Sequence, residues 1–210
     1  MDQESKHVKL SEEKWDKFSE RIDGKGWIHE YLRRAQRGVI SLLDLKENVH
    51  FLDVGCGTGW AVYQAAQRVN NVGVFCGIDL SSKMIEKAKE NFRGEKDFHF
   101  LKANAESLPL DNDFFDVVIS TNSFHHYFNP VKALGEIFRV LKPGGKIYIE
   151  DPTADRLLFR IVNRITKLFR PDDVNLHSTQ EFKELFAKAG LKYIGTEVLG
   201  FSQKVHIGEK

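Results

Sequence analysis

The stretch from Val49 to Gly59, Val-His-Phe-Leu-Asp-Val-Gly-Cys-Gly-Thr-Gly, constrains this chain more than any other. A short apolar run ends in an acid, Asp53, and Gly55, Gly57 and Gly59 follow at alternate positions. Residues 49–54 carry Val, Phe and Leu and read as a strand. Residues 60–69 read as a helix, which leaves the glycines in the turn between the two elements. Glycine tolerates positive φ and lets a ligand approach the backbone closely. The start of the following helix presents free N–H groups and the positive end of a dipole. The chain is therefore expected to hold a small polar ligand at the carboxyl edge of a sheet, unless the turn serves the backbone alone.

Two cofactor classes use such a turn, and their spacing differs. Dinucleotides call for G-x-G-x-x-G around a pyrophosphate. This chain has G-x-G-x-G, with Asp53 two residues before the first glycine. An anion there repels a pyrophosphate and attracts an ammonium group. A nicotinamide-dependent dehydrogenase is the weaker reading on this ground.

The stretch Asp53-Val-Gly55-Cys56-Gly57-Thr58-Gly59 closely resembles the first motif of class I S-adenosylmethionine-dependent methyltransferases. The resemblance implies a doubly wound, Rossmann-like α/β fold, a three-layer α/β/α sandwich. Its seven-stranded sheet is mostly parallel, with the last strand antiparallel. It also implies S-adenosyl-L-methionine as cofactor and S-adenosyl-L-homocysteine as product.

Composition sets the outer limits. The 210 residues suit one domain, read here as residues 1–210. Apolar residues make up 41% and charged residues 29%, as in soluble globular proteins. A net charge of +1 gives no basic field for nucleic acid, and no partner of that kind is expected. No apolar run approaches a membrane span, and residues 1–6 lack the core of a signal peptide. Cys56 and Cys76 have no metal-type spacing and form no disulfide framework. A reducing cytoplasm is the expected setting, and no metal is expected.

Residues 1–10 are polar and are expected to be loose. Ser11 reads as the cap of a short helix through Phe18, and residues 28–45 as a second helix, with Gly24 and Gly26 breaking the chain between them. Arg33, Arg34 and Arg37 fall off the apolar stripe of that second helix and read as a solvated basic face. In the resembling family such N-terminal helices often form a lid over the substrate.

Residues 72–78 form the second expected strand, ending at Asp79. This acid follows Gly59 by about 20 residues, where an acid meets ribose hydroxyls in nucleotide-binding βαβ units. A carboxylate can accept from both vicinal hydroxyls; a surface acid beside the helix caps Ser81 and Ser82 is the plainer alternative. Leu80 adjoins it, and Met84 lies one turn into the helix that runs to Phe92. Met84 reads as core, and the resemblance adds a contact with an adenine face.

A third strand, 98–102, leads to Ala103-Asn104-Ala105-Glu106-Ser107-Leu108-Pro109. An amide or acid with a backbone N–H at a strand end can read an adenine edge. This segment is similar to that of the type 11 methyltransferases related to the ubiquinone/menaquinone C-methyltransferases, many of which carry Asp where Asn104 stands. The oxygen of Asn104 is expected to serve in its place. Residues 117–120 form an apolar central strand across the topological switch from the first. Ser120, Thr121 and Asn122 at its end are candidates for the methionine end of the cofactor, and His125 and His126 for a general base. The N-P-P-[YF] motif of many amino-group methylases is absent, because Val131 follows Asn129-Pro130. That counts against methylation of nucleic-acid bases.

Residues 130–141 read as a helix stopped by Lys142-Pro143-Gly144-Gly145, and 146–150 as a strand. Arg139-Val-Leu-Lys-Pro-Gly-Gly-Lys146 again matches the family pattern. Residues 151–177 read as a helical cap. Its apolar side is Leu157, Leu158, Ile161, Val162, Ile165, Leu168 and Phe169, and its basic side is Arg156, Arg160, Arg164 and Lys167. An amphipathic cap with a solvated basic face is the simple reading. An anionic or lipid-like acceptor, or peripheral contact with an acidic membrane, is the sharper one. A capped helix from Ser178 and two last strands, 191–199 and 201–207, complete the chain. The expected activity is methyl transfer to a small-molecule acceptor entering between residues 1–45 and 151–177. A non-catalytic cofactor-binding protein is the alternative.

Overall fold

The computed structural model describes residues 3–22, 26–95, 97–156, 159–161, 163–165 and 175–210. The strands are β1 (Val49–Val54), β2 (Gly73–Asp79), β3 (Phe98–Lys102), β4 (Phe115–Thr121), β5 (Leu141–Pro152), β6 (Lys192–Val198) and β7 (Gln203–Glu209). The helices are α1 (Gln3–Ile22), α2 (Trp27–Leu42), α3 (Trp60–Gln67), α4 (Ser82–Asn91), α5 (Pro130–Val140) and α6 (Thr179–Lys188).

The strands form one sheet in the order β3-β2-β1-β4-β5-β7-β6. β1 pairs in parallel with β2 and β4, while β7 runs antiparallel to β5 and β6. Chain order reverses between β1 and β4, which opens a crevice at their carboxyl ends. The sheet buries both faces, so β1 and β4 are buried at nearly every position rather than alternately. Phe51 and Phe75 pack with α2, α3 and α4 on one face. Leu52, Val118 and Ile149 pack with α5 and α6 on the other. Each fully buried Phe or Leu stabilises the fold by roughly 1.5–3 kcal/mol. This is the expected doubly wound α/β sandwich.

Three boundaries differ from expectation. The helix expected to begin at Ser11 begins at Gln3, so residues 3–10, expected to be loose, are helical. Their polar side chains bridge to the body of the fold: Lys132 Nζ donates to Glu4 at 2.7 Å, and His7 Nε2 lies 3.2 Å from the carbonyl of His126. The second helix stops at Leu42, because Leu43 turns to extended geometry and its N–H caps Ile40 O. β5 starts at Leu141, opposite Phe115, and bulges through Lys142–Gly145 before Lys146 pairs with Val117. Lys142 in that bulge donates to both oxygens of Asp116 at 2.8 Å.

Of the expected cap, Leu157, Leu158, Val162, Lys167, Leu168 and Phe169 lie outside the described residues. Arg156 is not simply solvated, for its guanidinium stacks 3.6 Å from the ring centroid of Phe201. Among the described residues, no helix is long and apolar enough to cross a membrane.

Candidate active site

The glycine turn is fixed from beneath by β2. Gly55 and Cys56 donate their N–H groups to the carbonyl of Ile78 at 2.8 and 2.9 Å. Gly57 N–H donates to Asp79 Oδ2 at 2.9 Å, and Ser81 N–H to Asp79 Oδ1 at 2.9 Å. Asp79 is therefore neither a bare surface acid nor a helix cap. The cap is Ser81, whose Oγ accepts from Met84 N–H at 3.1 Å. Burial raises the Asp79 carboxyl above its ordinary range, and the N–H groups of Ser81, Gly57 and Leu80 oppose that rise.

Two glycines are required here for opposite reasons. Gly55 sits at φ +83°, and a Cβ there would come within 2.0 Å of Ser123 Oγ. Gly57 sits at φ +53°, and a Cβ there would meet nothing within 4 Å. Its bare backbone faces the open space that a ligand would fill.

That space is a cavity of about 410 Å³, within the size range of small-molecule sites. Of the expected residues, Gly55, Cys56, Gly57, Thr58, Asp79, Leu80, Met84, Asn104, Ala105, Glu106, Thr121, Asn122, His125 and His126 line it. Asp53, Gly59 and Ser120 are not on its surface. Gly59 is the left-handed N-cap of α3, and Ser120 Oγ lies 3.1 Å from the hydroxyl of Tyr127. Asp53 is fully buried behind the turn, and neither carboxylate oxygen has a hydrogen-bond partner. Burial, with the charge of Asp79 adding to it, pushes Asp53 up to about 8.

Asn104 stands on the cavity wall and also makes a local contact. Its Oδ1 accepts from the N–H of Glu106 at 3.0 Å, which closes a local turn. The amide nitrogen and the second lone pair of that oxygen remain for any ligand. Glu106 is nearly buried and accepts from Asn129 N–H at 2.8 Å, so it ties two loops together. Asn122 adopts φ +49°, a region Asn tolerates. It is held there by Glu150, which accepts from its N–H at 2.8 Å and its Nδ2 at 2.6 Å.

A family profile described as a methyltransferase domain matches residues 45–190. The chain belongs to the methyltransferase-domain family. With that family comes S-adenosyl-L-methionine as cofactor, and the bare Gly57 and the polar floor suit such a ligand. An uncharacterised methyltransferase of Bacillus subtilis, YcgJ, is 29% identical over 159 residues, covering 74% of this chain and 62% of its own. The demethylmenaquinone methyltransferase of Lactococcus lactis is 39% identical over 98 residues, covering 46% and 39%. The chain thus spans less than two thirds of either relative. The crystal structure of YcgJ superposes with a TM-score of 0.68 at 26% identity, covering 79% of this chain and 72% of that one. A chain from the complex of the Haloferax volcanii Trm112 methyltransferase activator with a methyltransferase superposes with a TM-score of 0.80 at 21% identity, covering 93% and 96%. That last likeness speaks for the fold alone.

The site also holds groups that the sequence did not single out. Asp151, at the end of β5, is buried, and its Oδ1 lies 2.8 Å from Nδ1 of His125. A carboxylate can only accept, so Nδ1 bears the proton and Nε2 the lone pair. Nothing in sequence links positions 125 and 151; the parallel pairing of β4 and β5 brings them together. His126 is instead packed edge-on against Trp15, with centroids 4.8 Å apart. Glu150 is pushed up to about 8 by burial and by Asp151. The upper wall comes from α1 and α2: His7, Ser11, Trp15 and Phe18 from the first, His29, Leu32, Arg33 and Gln36 from the second. No described residue of 151–177 lines the cavity. The spacing His29, Arg33, Gln36 marks a polar helical stripe beside the apolar one, and that signal was readable in the sequence.

Proposed function

We propose that this chain transfers a methyl group to a small-molecule acceptor whose nucleophilic atom carries a proton, with His125 as general base and Asp151 as its positioning residue. One observation carries the reading. A single cavity joins the glycine turn, Asp79 and Asn104 to a histidine oriented by a buried carboxylate, under a roof of two helices.

Bound S-adenosyl-L-methionine supplies an already activated methyl group, so the chain's residues need to orient, exclude water and accept a proton. Asp79 would hold the ribose hydroxyls, Asn104 and Ala105 the adenine edge, and Thr121 and Asn122 the methionine end. Orientation of acceptor against methyl group can remove roughly 7–11 kcal/mol of barrier. The roof of α1 and α2 excludes water and limits the acceptor to a small molecule. When the acceptor takes the methyl group, the carbon–sulfur bond would break, S-adenosyl-L-homocysteine would be the leaving group, and the acceptor's proton would pass to Nε2 of His125. Asp151 favours the imidazolium that results. No nucleic-acid partner is implied by this enclosed, partly apolar site. Exposed Phe201, with Arg156 stacked on its ring, offers a surface for peripheral membrane contact. Cys56 and Cys76 are buried free thiols, which suits a reducing cytoplasm.

Thermal unfolding with S-adenosylmethionine, S-adenosylhomocysteine and NAD in parallel tests the cofactor. A ligand at a hundred times its Kd stabilises by about 2.7 kcal/mol. A shift with NAD alone would sink the reading. Cofactor binding with no methyl transfer across a broad panel of hydroxyl and amine acceptors would favour a non-catalytic binding protein.

A further inference from the structure

Arg33 is the one strongly basic side chain on the cavity wall among the described residues, and it lacks a counter-ion. It is half-buried on the inner side of α2. Its guanidinium lies 4.6 Å from the ring centroid of Trp60, the first residue of α3 after Gly59. Two neighbours on the same helix steer it: Nε donates to His29 Nε2 at 3.2 Å and Nη1 to Gln36 Oε1 at 3.1 Å. Among the described residues no carboxylate pairs with it. The nearby Glu30 is taken by Arg37 instead. Burial first, and the charge of Arg37 second, push Arg33 down to about 10, so it remains a cation at neutral pH.

A partly desolvated cation with free donors is unfavourable unless something compensates it. The planar fork of Arg33, stacked on an indole and aimed by two hydrogen bonds, matches a carboxylate bidentately. On the other side of the same glycine turn Asp53 is a buried acid with no partner. One orphan cation on the wall, with one orphan acid buried behind the glycine turn, suits a zwitterion, and an α-amino acid end is one.

We propose that Arg33 anchors a carboxylate at the mouth of the glycine turn, that of the cofactor's amino-acid end. The assignment rests on the cofactor reading above. A carboxylate-bearing acceptor shares the same chemistry, and the test separates the two sources.

Isothermal titration would compare S-adenosylhomocysteine with decarboxylated S-adenosylmethionine, which keeps the ammonium and lacks the carboxylate. The proteins are wild type, Arg33→Gln, Arg33→Lys and, as a control on the exposed face, Arg34→Gln. Arg33→Gln should weaken S-adenosylhomocysteine about 10- to 100-fold and leave the decarboxylated compound within about twofold, as expected for a charge-assisted hydrogen bond. Arg33→Lys should restore part of the loss, and Arg34→Gln should change nothing. A second arm titrates acetate onto protein loaded with S-adenosylhomocysteine. Arg33-dependent acetate binding, with S-adenosylhomocysteine affinity unchanged, would move the anchor to the acceptor. Equal weakening of both nucleosides would reveal a structural role and overturn the proposal. So would unchanged binding of both nucleosides together with acetate binding that ignores Arg33. If wild type binds neither nucleoside, the cofactor reading fails, and acetate titrated onto the unloaded wild type and Arg33→Gln proteins decides whether Arg33 anchors a carboxylate at all.

Discussion

Replacing Asp53 by Asn should make the protein more resistant to unfolding as pH rises, while weakening its hold on the cofactor. Asp53 is fully buried, unpartnered and pushed up to about 8. A carboxyl whose pKa is raised by folding holds its proton more tightly in the native state than in the unfolded chain. Its contribution is intact below the unfolded value, about 3.9, and is lost as pH climbs through the folded value. Integrated over those two values, ionisation costs wild type roughly 1–2 kcal/mol at pH 5 and roughly 5 kcal/mol at pH 8. Asn does not titrate. Its buried amide adds a constant penalty of about 1–3 kcal/mol, which does not vary with pH. Glu150, also held near 8, is present in both proteins and cancels. The gap between variant and wild type should therefore widen in the variant's favour by roughly 3–4 kcal/mol from pH 5 to pH 8. In urea that is a midpoint separation growing by about 1–2 M. Urea titrations at unit pH steps measure it. Parallel midpoints across that range would refute the buried, protonated Asp53. The same variant should bind S-adenosylhomocysteine about 10- to 100-fold more weakly, because an amide, unlike the buried carboxyl, cannot release a proton and become an anion when the ligand's ammonium arrives.

Gly57→Ala should keep the fold, at a cost of about 1–2 kcal/mol for its positive φ, and lose most cofactor affinity, read by thermal shift with and without ligand. Gly55→Ala should fail at folding instead, because its Cβ would collide with Ser123; a normally folded Gly55→Ala protein would contradict that packing. His125→Ala should lower kcat by about 10²- to 10⁴-fold once an acceptor is known, with cofactor Kd little changed. Asp151→Asn should lower kcat and alter the pH profile in the same assay. An unaltered kcat in His125→Ala would leave the enzyme working by orientation alone.

The parts of the fold that were legible in sequence are those where one residue type does one job. Alternate glycines after an apolar strand, and an acid about 20 residues on, predict the β1–α3–β2 unit because backbone conformation demands them locally. The β4 and β5 strands could be read from apolar runs, but the bulge at Lys142–Gly145 could not. There the Lys142–Asp116 pair lets the chain stay in the sheet while looping out. The His125–Asp151 contact was hidden because the sheet, rather than the sequence, brings the two together. Arg33 was hidden for a different reason. A cation beside an apolar helical stripe reads as solvated unless another side chain covers it, here the ring of Trp60 on α3; nor does α1, in sequence, look like a covering helix.

The case of α1 shows why, and it carries the last prediction. Its residues are mostly polar, yet it crosses the mouth of the crevice on specific contacts. Glu4 pairs with Lys132 at the start of α5, Glu12 with Lys102 on β3, and Glu20 with Lys83 on α4. Asp16 accepts from Ser81 and from the N–H of Lys83, at the N-terminus of α4. Trp15 meets His126, and His7 lies against Phe128. Exposed ion pairs of this kind contribute little individually and weaken with salt. A helix fastened mainly by them, with few apolar contacts, belongs to the low-stability end of a fold and opens before the sheet does. Amide exchange should therefore be fast in residues 3–22 and slow in β1 and β4. Raising salt from about 0.05 to 0.5 M should quicken it in α1 alone. S-adenosylhomocysteine should slow it, because α1 provides part of the wall of the cavity that the ligand fills. Exchange in α1 as slow as in β1, and indifferent to salt, would mean that the helix is a fixed wall and that the acceptor enters by another route.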